Sequence, residues 1–248
     1  MPTPSQANER FWDADSASYH LSHPDYLADF YWCPEMLHEK DAHLLGDTTG
    51  KRILEVGCGS AACTRWLHGR SALALGFDIS RSMLGHAATR KQSPDLPLVQ
   101  ADVLNIPLAS NSFDIAFSAF GALPFVQDID HALAEISRVT RPGGRFVFSV
   151  NHPMRWIFPD DPGELTASVS YFERSYLEHD DAGELTYAEF HRTLGDWFRA
   201  LQMRGSFLIE DVIEPEWPPE LSTEWGQWSP LRGGIFPGTI IFSCTNMK

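Results

Sequence analysis

The chain has 248 residues, 43% of them hydrophobic, which is enough for a sizeable core in one large domain or one domain with a cap. Its net charge of −14, with four lysines and no basic run, argues against a nucleic-acid partner and favours a small or uncharged one. No run of about 18 apolar residues occurs and the N-terminal stretch has no apolar signal core, so a cytoplasmic protein with no membrane insertion is expected.

The cysteines, Cys33, Cys58, Cys63 and Cys244, form no C-x-x-C pair and are read as free thiols in a reducing compartment, with no metal cluster. Oligomeric state is not legible in the sequence.

Residues 1–50 read as helices and connectors. Pro34 is placed in the first turn of a helix running to Leu45, and Gly46 ends it. From 51 to 151 the pattern alternates. Strands are predicted over 52–57, 72–78, 96–101, 113–119 and 145–150, and helices over 60–69, 80–91 and 128–140. Short apolar runs separated by helix-length segments predict parallel βαβ units. Residues 152–190, with Pro153, Pro159 and Pro162, read as an irregular inserted cap or lid. A helix is predicted over 191–204, a strand over 206–213 and a last strand over 239–245. Between the last two strands, 215–238 is a long loop with five prolines and three tryptophans, and loops of that length are often functional.

The chemistry is concentrated where the first strand ends. Ile53-Leu54-Glu55-Val56-Gly57-Cys58-Gly59 is a short apolar strand running into a glycine turn. Gly57 and Gly59 permit a tight turn and close approach of a ligand to backbone, and the helix that follows presents free N–H groups to the crevice. Glu55 can attract an ammonium group or organise the loop, and it would serve a diphosphate poorly. Asp78 closes the second strand, where an acid can accept from both ribose hydroxyls. Gly57-x-Gly59-x-x-Ala62 also fits the looser dinucleotide pattern, so a nicotinamide-dependent oxidoreductase shares these features. Asp102, at the end of the third strand, is the discriminator. It could accept from an adenine amino group, or it could serve as a cap or turn residue.

These motifs together resemble a class I S-adenosylmethionine-dependent methyltransferase of the type 11, ubiquinone-biosynthesis-like group, closely over about 100 residues (52–151) and more loosely through the last helix and two strands. Glu55-x-Gly57-x-Gly59-Ser60 matches the family's first motif and Asp78-Ile79-Ser80 its second. Met83 matches an apolar residue against the adenine, Ala101-Asp102-Val103 the adenine-binding acid, Phe113–Phe120 the fourth strand, and Arg141-Pro142-Gly143-Gly144 the turn before the fifth. The resemblance implies an α/β, Rossmann-like seven-stranded sheet of order 3-2-1-4-5-7-6, strand 7 antiparallel, with helices on both faces and, here, an inserted cap. It implies S-adenosylmethionine as cofactor, held by Glu55, Gly57, Cys58, Gly59, Ser60, Asp78, Ile79, Met83, Asp102, Val103, Ser118 and Ala119. The reaction it implies is an in-line displacement in which proximity and alignment carry much of the rate.

The four segments are read as an N-terminal piece closing over the cofactor (1–50), a cofactor-binding core (51–151), the cap (152–190), and a C-terminal helix with two strands and the aromatic loop (191–248). His152, directly after the fifth strand, is the preferred general base, with an ordinary loop histidine as its alternative, and His191 is a second candidate. Tyr19 and Trp32 could close over the cofactor, and Trp217, Trp225 and Trp228 could wall the acceptor; core packing is the alternative for each. Asp114 begins its strand, at the wrong edge for the site, and is read as structural. The function expected is methyl transfer to a small molecule. The alternatives are an NAD(P)-dependent oxidoreductase and a non-catalytic S-adenosylmethionine-binding protein.

Overall fold

The computed structural model describes residues 2–89, 96–202 and 206–248. It opens with a helix, α1 (Pro4–Ser22), started by a capping box in which the Thr3 side chain accepts from the Gln6 N–H and the Gln6 side chain accepts from the Thr3 N–H. Pro4 at the first helical position suits its fixed φ.

The helix predicted through 35–45 is only one turn, α2 (Glu39–Ala42). The Glu39 side chain turns inward, where its carboxylate accepts from Trp32 Nε1 and from the N–H groups of Leu44 and Leu45. The chain wraps around that acid instead of continuing the helix, and Met36 takes a left-handed φ of 57° on the way in.

The alternating region folds as β1 (Arg52–Val56), α3 (Ala62–His68), β2 (Leu73–Asp78), α4 (Arg81–Thr89), β3 (Leu98–Gln100), β4 (Phe113–Ser118), α5 (Ile129–Val139) and β5 (Thr140–Asn151). The last residues of the helices predicted over 80–91 and 191–204 lie outside the described residues. α5 is capped by Asp128, whose side chain accepts from the His131 N–H, and buries Ile129, Ala132, Leu133, Ile136 and Val139 along one stripe.

The segment read as irregular contains a short 3₁₀ turn (Pro153–Ile157) and an antiparallel hairpin, β6 (Ser175–His179) with β7 (Leu185–Phe190). Its turn is built by Asp180, which accepts from the N–H groups of Ala182 and Glu184, with Gly183 at φ 77°. Then come α6 (Leu194–Gln202), β8 (Phe207–Ile213), the short α7 (Pro230–Gly233) inside the aromatic loop, and β9 (Thr239–Asn246).

The main sheet has seven strands in the order β3-β2-β1-β4-β5-β9-β8. β9 runs antiparallel to both of its neighbours, and the other pairs are parallel. This is the expected order once the hairpin strands are counted as an insertion. Alternation along β5 sends Phe146 and Phe148 to one face, with Phe242 and Trp197, and Val147 to the other, with Phe30, Trp32 and Phe117. Both faces are therefore covered, as a parallel sheet requires. Asp114 is structural: it accepts from the Arg52 N–H and pairs with Arg141 at 2.5 Å, inside β5, where the turn expected over 141–144 is instead an irregularity in the pairing of β4 with β5.

Candidate functional site

The loop after β1 is fixed from three sides. The N–H groups of Gly57 and Cys58 donate to the Phe77 carbonyl, and that of Gly59 donates to Asp78 Oδ2 at 2.8 Å. A Cβ on Gly57 would sit 2.7 Å from the Ala122 nitrogen, so the loops after β1 and β4 meet backbone to backbone, and the φ of 72° adds a second demand for glycine. Glu55 reaches past this loop to the first turn of α3, where its Oε2 accepts from the N–H and the hydroxyl of Thr64. It thus satisfies an N-terminal helix donor from the preceding strand. Burial pushes its carboxyl up to about 7 despite the Thr64 hydrogen bonds that favour its charge.

These residues form one end of a cavity of about 270 Å³. Glu55, Gly57, Cys58, Gly59, Ser60, Asp78, Ile79, Met83, Asp102, Val103 and Ala119 all line it. Ser118 does not: it is fully buried, and its hydroxyl donates to the Val56 carbonyl. Asp78 accepts from Gly59 and, through Oδ1, from the Ser80 N–H, and burial raises its carboxyl above the ordinary value. Asp102 Oδ1 accepts from the Leu104 N–H, so the turn role and a place on the cavity wall coexist.

The roof is α1. Its Asn8, Trp12 and Tyr19 line the cavity, and two clasps hold the helix down. Asn8 bonds to the Ala188 backbone in β7. Asp13 Oδ1 accepts from the Ser80 hydroxyl and the Ser82 N–H at the start of α4, while Ser80 Oγ accepts from the Met83 N–H. Burial opposes the Asp13 charge, yet the bonds from Ser80 and Ser82 win and hold its carboxyl below the usual value.

At the far end the wall is aromatic. Trp225 stacks on His23 at 4.0 Å and meets Tyr26 edge-on at 4.9 Å, and Trp228 meets Phe120 at 5.2 Å. Burial pushes the Tyr19 and Tyr26 hydroxyls far up, so both stay protonated at neutral pH.

Tyr19, Trp225 and Trp228 therefore line the cavity, whereas Trp32 and Trp217 do not. Trp32 is fully buried against Phe30 and Phe117 with its Nε1 bonded to Glu39. Trp217 packs on Gly233 of α7 and donates to the Leu221 carbonyl. His152 also lies outside the wall. Its Nδ1 accepts from the Met154 N–H, capping the 3₁₀ turn, so Nε2 carries the proton of the neutral ring and donates to Glu214 at 2.9 Å. Burial lowers its basicity against the pull of Glu214. His191 stacks on Trp156 at 3.6 Å, and burial and two arginines lower it to about 4.

Asn151, Arg155, Tyr187 and Glu189 also line the cavity and were not singled out as site residues by sequence. Alternation in Tyr187-Ala188-Glu189 was the available signal, because it puts Tyr187 and Glu189 on one face of a strand.

The wall fits S-adenosylmethionine. Among the described residues the buried Ser60 hydroxyl has no hydrogen-bond partner, and a Cβ at Gly59 would meet open space. Glu55 and Asp78 are desolvated acids whose ionisation a bound cation would favour, which suits a sulfonium and an ammonium and opposes a diphosphate.

Comparison with known proteins agrees. Residues 54–148 match the family model of a methyltransferase domain. A demethylmenaquinone methyltransferase of Corynebacterium kroppenstedtii is 38% identical over 96 residues, which cover 39% of this chain and 40% of that relative. The chain thus spans less than half the length of that curated relative. Among solved structures, a Listeria monocytogenes protein provisionally assigned as an S-adenosylmethionine-dependent methyltransferase superposes with a TM-score of 0.68, at 25% identity over 85% of this chain and 97% of that one. An S-adenosylmethionine-dependent methyltransferase of Mesorhizobium loti gives 0.61, at 28% identity over 84% and 97%. Residues 54–148 thus carry a methyltransferase domain of the type 11 family, and the comparisons favour S-adenosylmethionine over a nicotinamide dinucleotide.

Proposed function

We propose that the protein is a soluble cytoplasmic enzyme that methylates a small molecule, with no nucleic-acid partner. The observation that carries this reading is one continuous cavity joining the acidic wall at the ends of β1, β2 and β3 to the aromatic wall under α1. When bound, S-adenosylmethionine supplies a methyl group already activated for displacement.

The chain's part is to hold and align. Asp78 would accept from the ribose hydroxyls, and Asp102 from the adenine amino group. Ile79, Met83 and Val103 would flank the ring, and Glu55 with the Gly57–Ser60 loop would receive the methionine portion. α1, the 152–190 segment and the 215–238 loop form the acceptor chamber and exclude water. We assign the rate chiefly to alignment in that chamber, since an oriented pair reacts with an effective molarity of order 10⁵ M or more. His152 is then a capping residue, not a base, in keeping with its two engaged ring nitrogens. The cytoplasmic placement is supported by four buried, unpaired cysteines, and no helix among the described residues is long and apolar enough to cross a membrane.

The test is transfer of labelled methyl from S-adenosylmethionine into a cell extract divided into small-molecule, protein and nucleic-acid fractions. Label in the small-molecule fraction supports the reading, and label confined to protein or nucleic acid refutes it.

A further inference from the structure

Among the described residues that line the cavity, Arg155 is the one arginine or lysine. It is 9% exposed, and its Nε and Nη1 have no hydrogen-bond partner among the described residues. Its guanidinium lies over the rings of Trp156, at 4.2 Å, and Trp228, at 3.9 Å. Ring faces stabilise a cation, but they leave the in-plane N–H groups unmet. Burial lowers its basicity only to about 10, so it is charged at neutral pH. A buried charge without a partner is costly, and an anion in the cavity would relieve that cost.

Among the described residues no acid forms an ion pair with it, although Glu189 and Asp160 favour its charge from a distance. Of these acids Glu189 favours the Arg155 charge most, but no ion pair joins the two. Its Oε1 is engaged by Asn151 Nδ2 at 2.5 Å and its Oε2 by the Tyr187 hydroxyl at 3.1 Å. Burial pushes it up to about 7, so it is only partly charged.

Position says which ligand the charge serves. Arg155 follows β5 and stands with β7 and the aromatic loop. In the sheet, β5 is separated from the adenosine side, β2 and β3, by β1 and β4. The chamber around Arg155 is aromatic, with Tyr187, Trp228 and Phe120, which suits a flat apolar body. One cation among several acids suits a single negative charge better than a phosphate dianion, and a guanidinium matches the planar carboxylate.

We propose that Arg155 anchors a carboxylate on the acceptor, and that the substrates are small monocarboxylic acids with an apolar, ring-sized body. This rests on the methyltransferase reading and narrows its acceptor.

The test is calorimetric titration of the full chain, first with S-adenosylhomocysteine and then, at saturation, with benzoate and 2-naphthoate and with their neutral amides. At least one carboxylate is expected to bind tenfold or more tightly than its amide. Arg155→Met should abolish that preference while changing S-adenosylhomocysteine affinity less than twofold, and Arg155→Lys should keep part of it. Should Arg155→Met fail to fold, the carboxylate-to-amide ratio in the unaltered protein and in Arg155→Lys decides. Equal binding of acid and amide, or binding of neither, overturns the proposal. So does a tenfold loss of S-adenosylhomocysteine affinity in Arg155→Met, which would assign the charge to the cofactor's own carboxylate. Failure of S-adenosylhomocysteine to bind the unaltered protein refutes the methyltransferase reading itself, a different result from any of these.

Discussion

Asn8 and Ala188, 180 residues apart, exchange two hydrogen bonds: the Asn8 side-chain oxygen accepts from the Ala188 N–H at 2.9 Å, and its nitrogen donates to the Ala188 carbonyl at 2.9 Å. A side-chain amide thus pairs with β7 as a strand residue would. Asn8 Nδ2 also donates to the Phe125 carbonyl at 3.2 Å, so one residue of α1 fastens the roof to both the hairpin and the loop after β4. Asn8→Ala leaves two buried backbone groups unsatisfied and should cost about 2–4 kcal/mol. Urea unfolding checks the stability, and calorimetry should show weaker S-adenosylhomocysteine binding as the roof loosens.

Asp13 is the second clasp, donating nothing but accepting from Ser80 and Ser82 across the α1–α4 junction beside Asp78. Asp13→Ala should cost about 1–2 kcal/mol, the range of a lost helix cap. Hydrogen exchange should quicken in both the C-terminal half of α1 and the first turn of α4. Faster exchange in α1 alone would mean that Asp13 does not support α4.

Asp78 and Gly57 test the cofactor wall. Asp78→Ala removes a half-buried carboxylate placed for hydrogen bonding and should weaken S-adenosylhomocysteine roughly 10–100-fold, from about 1.5–3 kcal/mol per hydrogen bond to a charged group. Gly57→Val must move Ala122, whose nitrogen lies 2.7 Å from the new Cβ, and should abolish binding. Unchanged affinity in both variants would remove this wall from the cofactor site.

His152→Ala should leave S-adenosylhomocysteine affinity unchanged and lower stability by about 1 kcal/mol, as expected for loss of a capping side chain. Once an acceptor is known, kcat should fall less than tenfold. A loss of a thousandfold with an intact fold would make His152 the base after all.

Stability should depend on pH through Glu55 and Glu189, each raised by burial from 4.5 to about 7. Between those values the folded chain holds protons that the unfolded chain has released. Their contribution is therefore complete below pH 4.5, declines as pH rises toward 7, and is lost above it. Glu189→Gln cannot ionise, so its stability relative to the unaltered protein should improve by about 2–3 kcal/mol between pH 5 and pH 8, at roughly 1.4 kcal/mol per pKa unit. An equal difference at both pH values would show that Glu189 ionises freely in the fold.

The cavity wall at the ends of β1, β2 and β3 was legible because its requirements are local. A strand, a turn that needs Gly57, and acids at the ends of β2 and β3 are all written in adjacent residues. The roof was not. The capping box at Thr3 and Gln6 announces a helix, but α1 is polar and its hold on the site comes from Asn8 and Asp13 meeting elements far along the chain. Arg155 and Glu189 come to line one cavity only after the hairpin folds back, so no spacing in the sequence relates them. His152 shows a different limit: a strand end predicts where a residue sits, not which of its ring nitrogens is already engaged. The helix expected over 35–45 failed for a comparable reason, because helical periodicity does not reveal that Glu39 turns inward to collect three donors.

The most direct measurement is parallel calorimetric titration with S-adenosylmethionine, S-adenosylhomocysteine and NADH. Micromolar binding of the first two, lost in Asp78→Ala, with no NADH binding, is the result predicted here. Binding of NADH alone would contradict it.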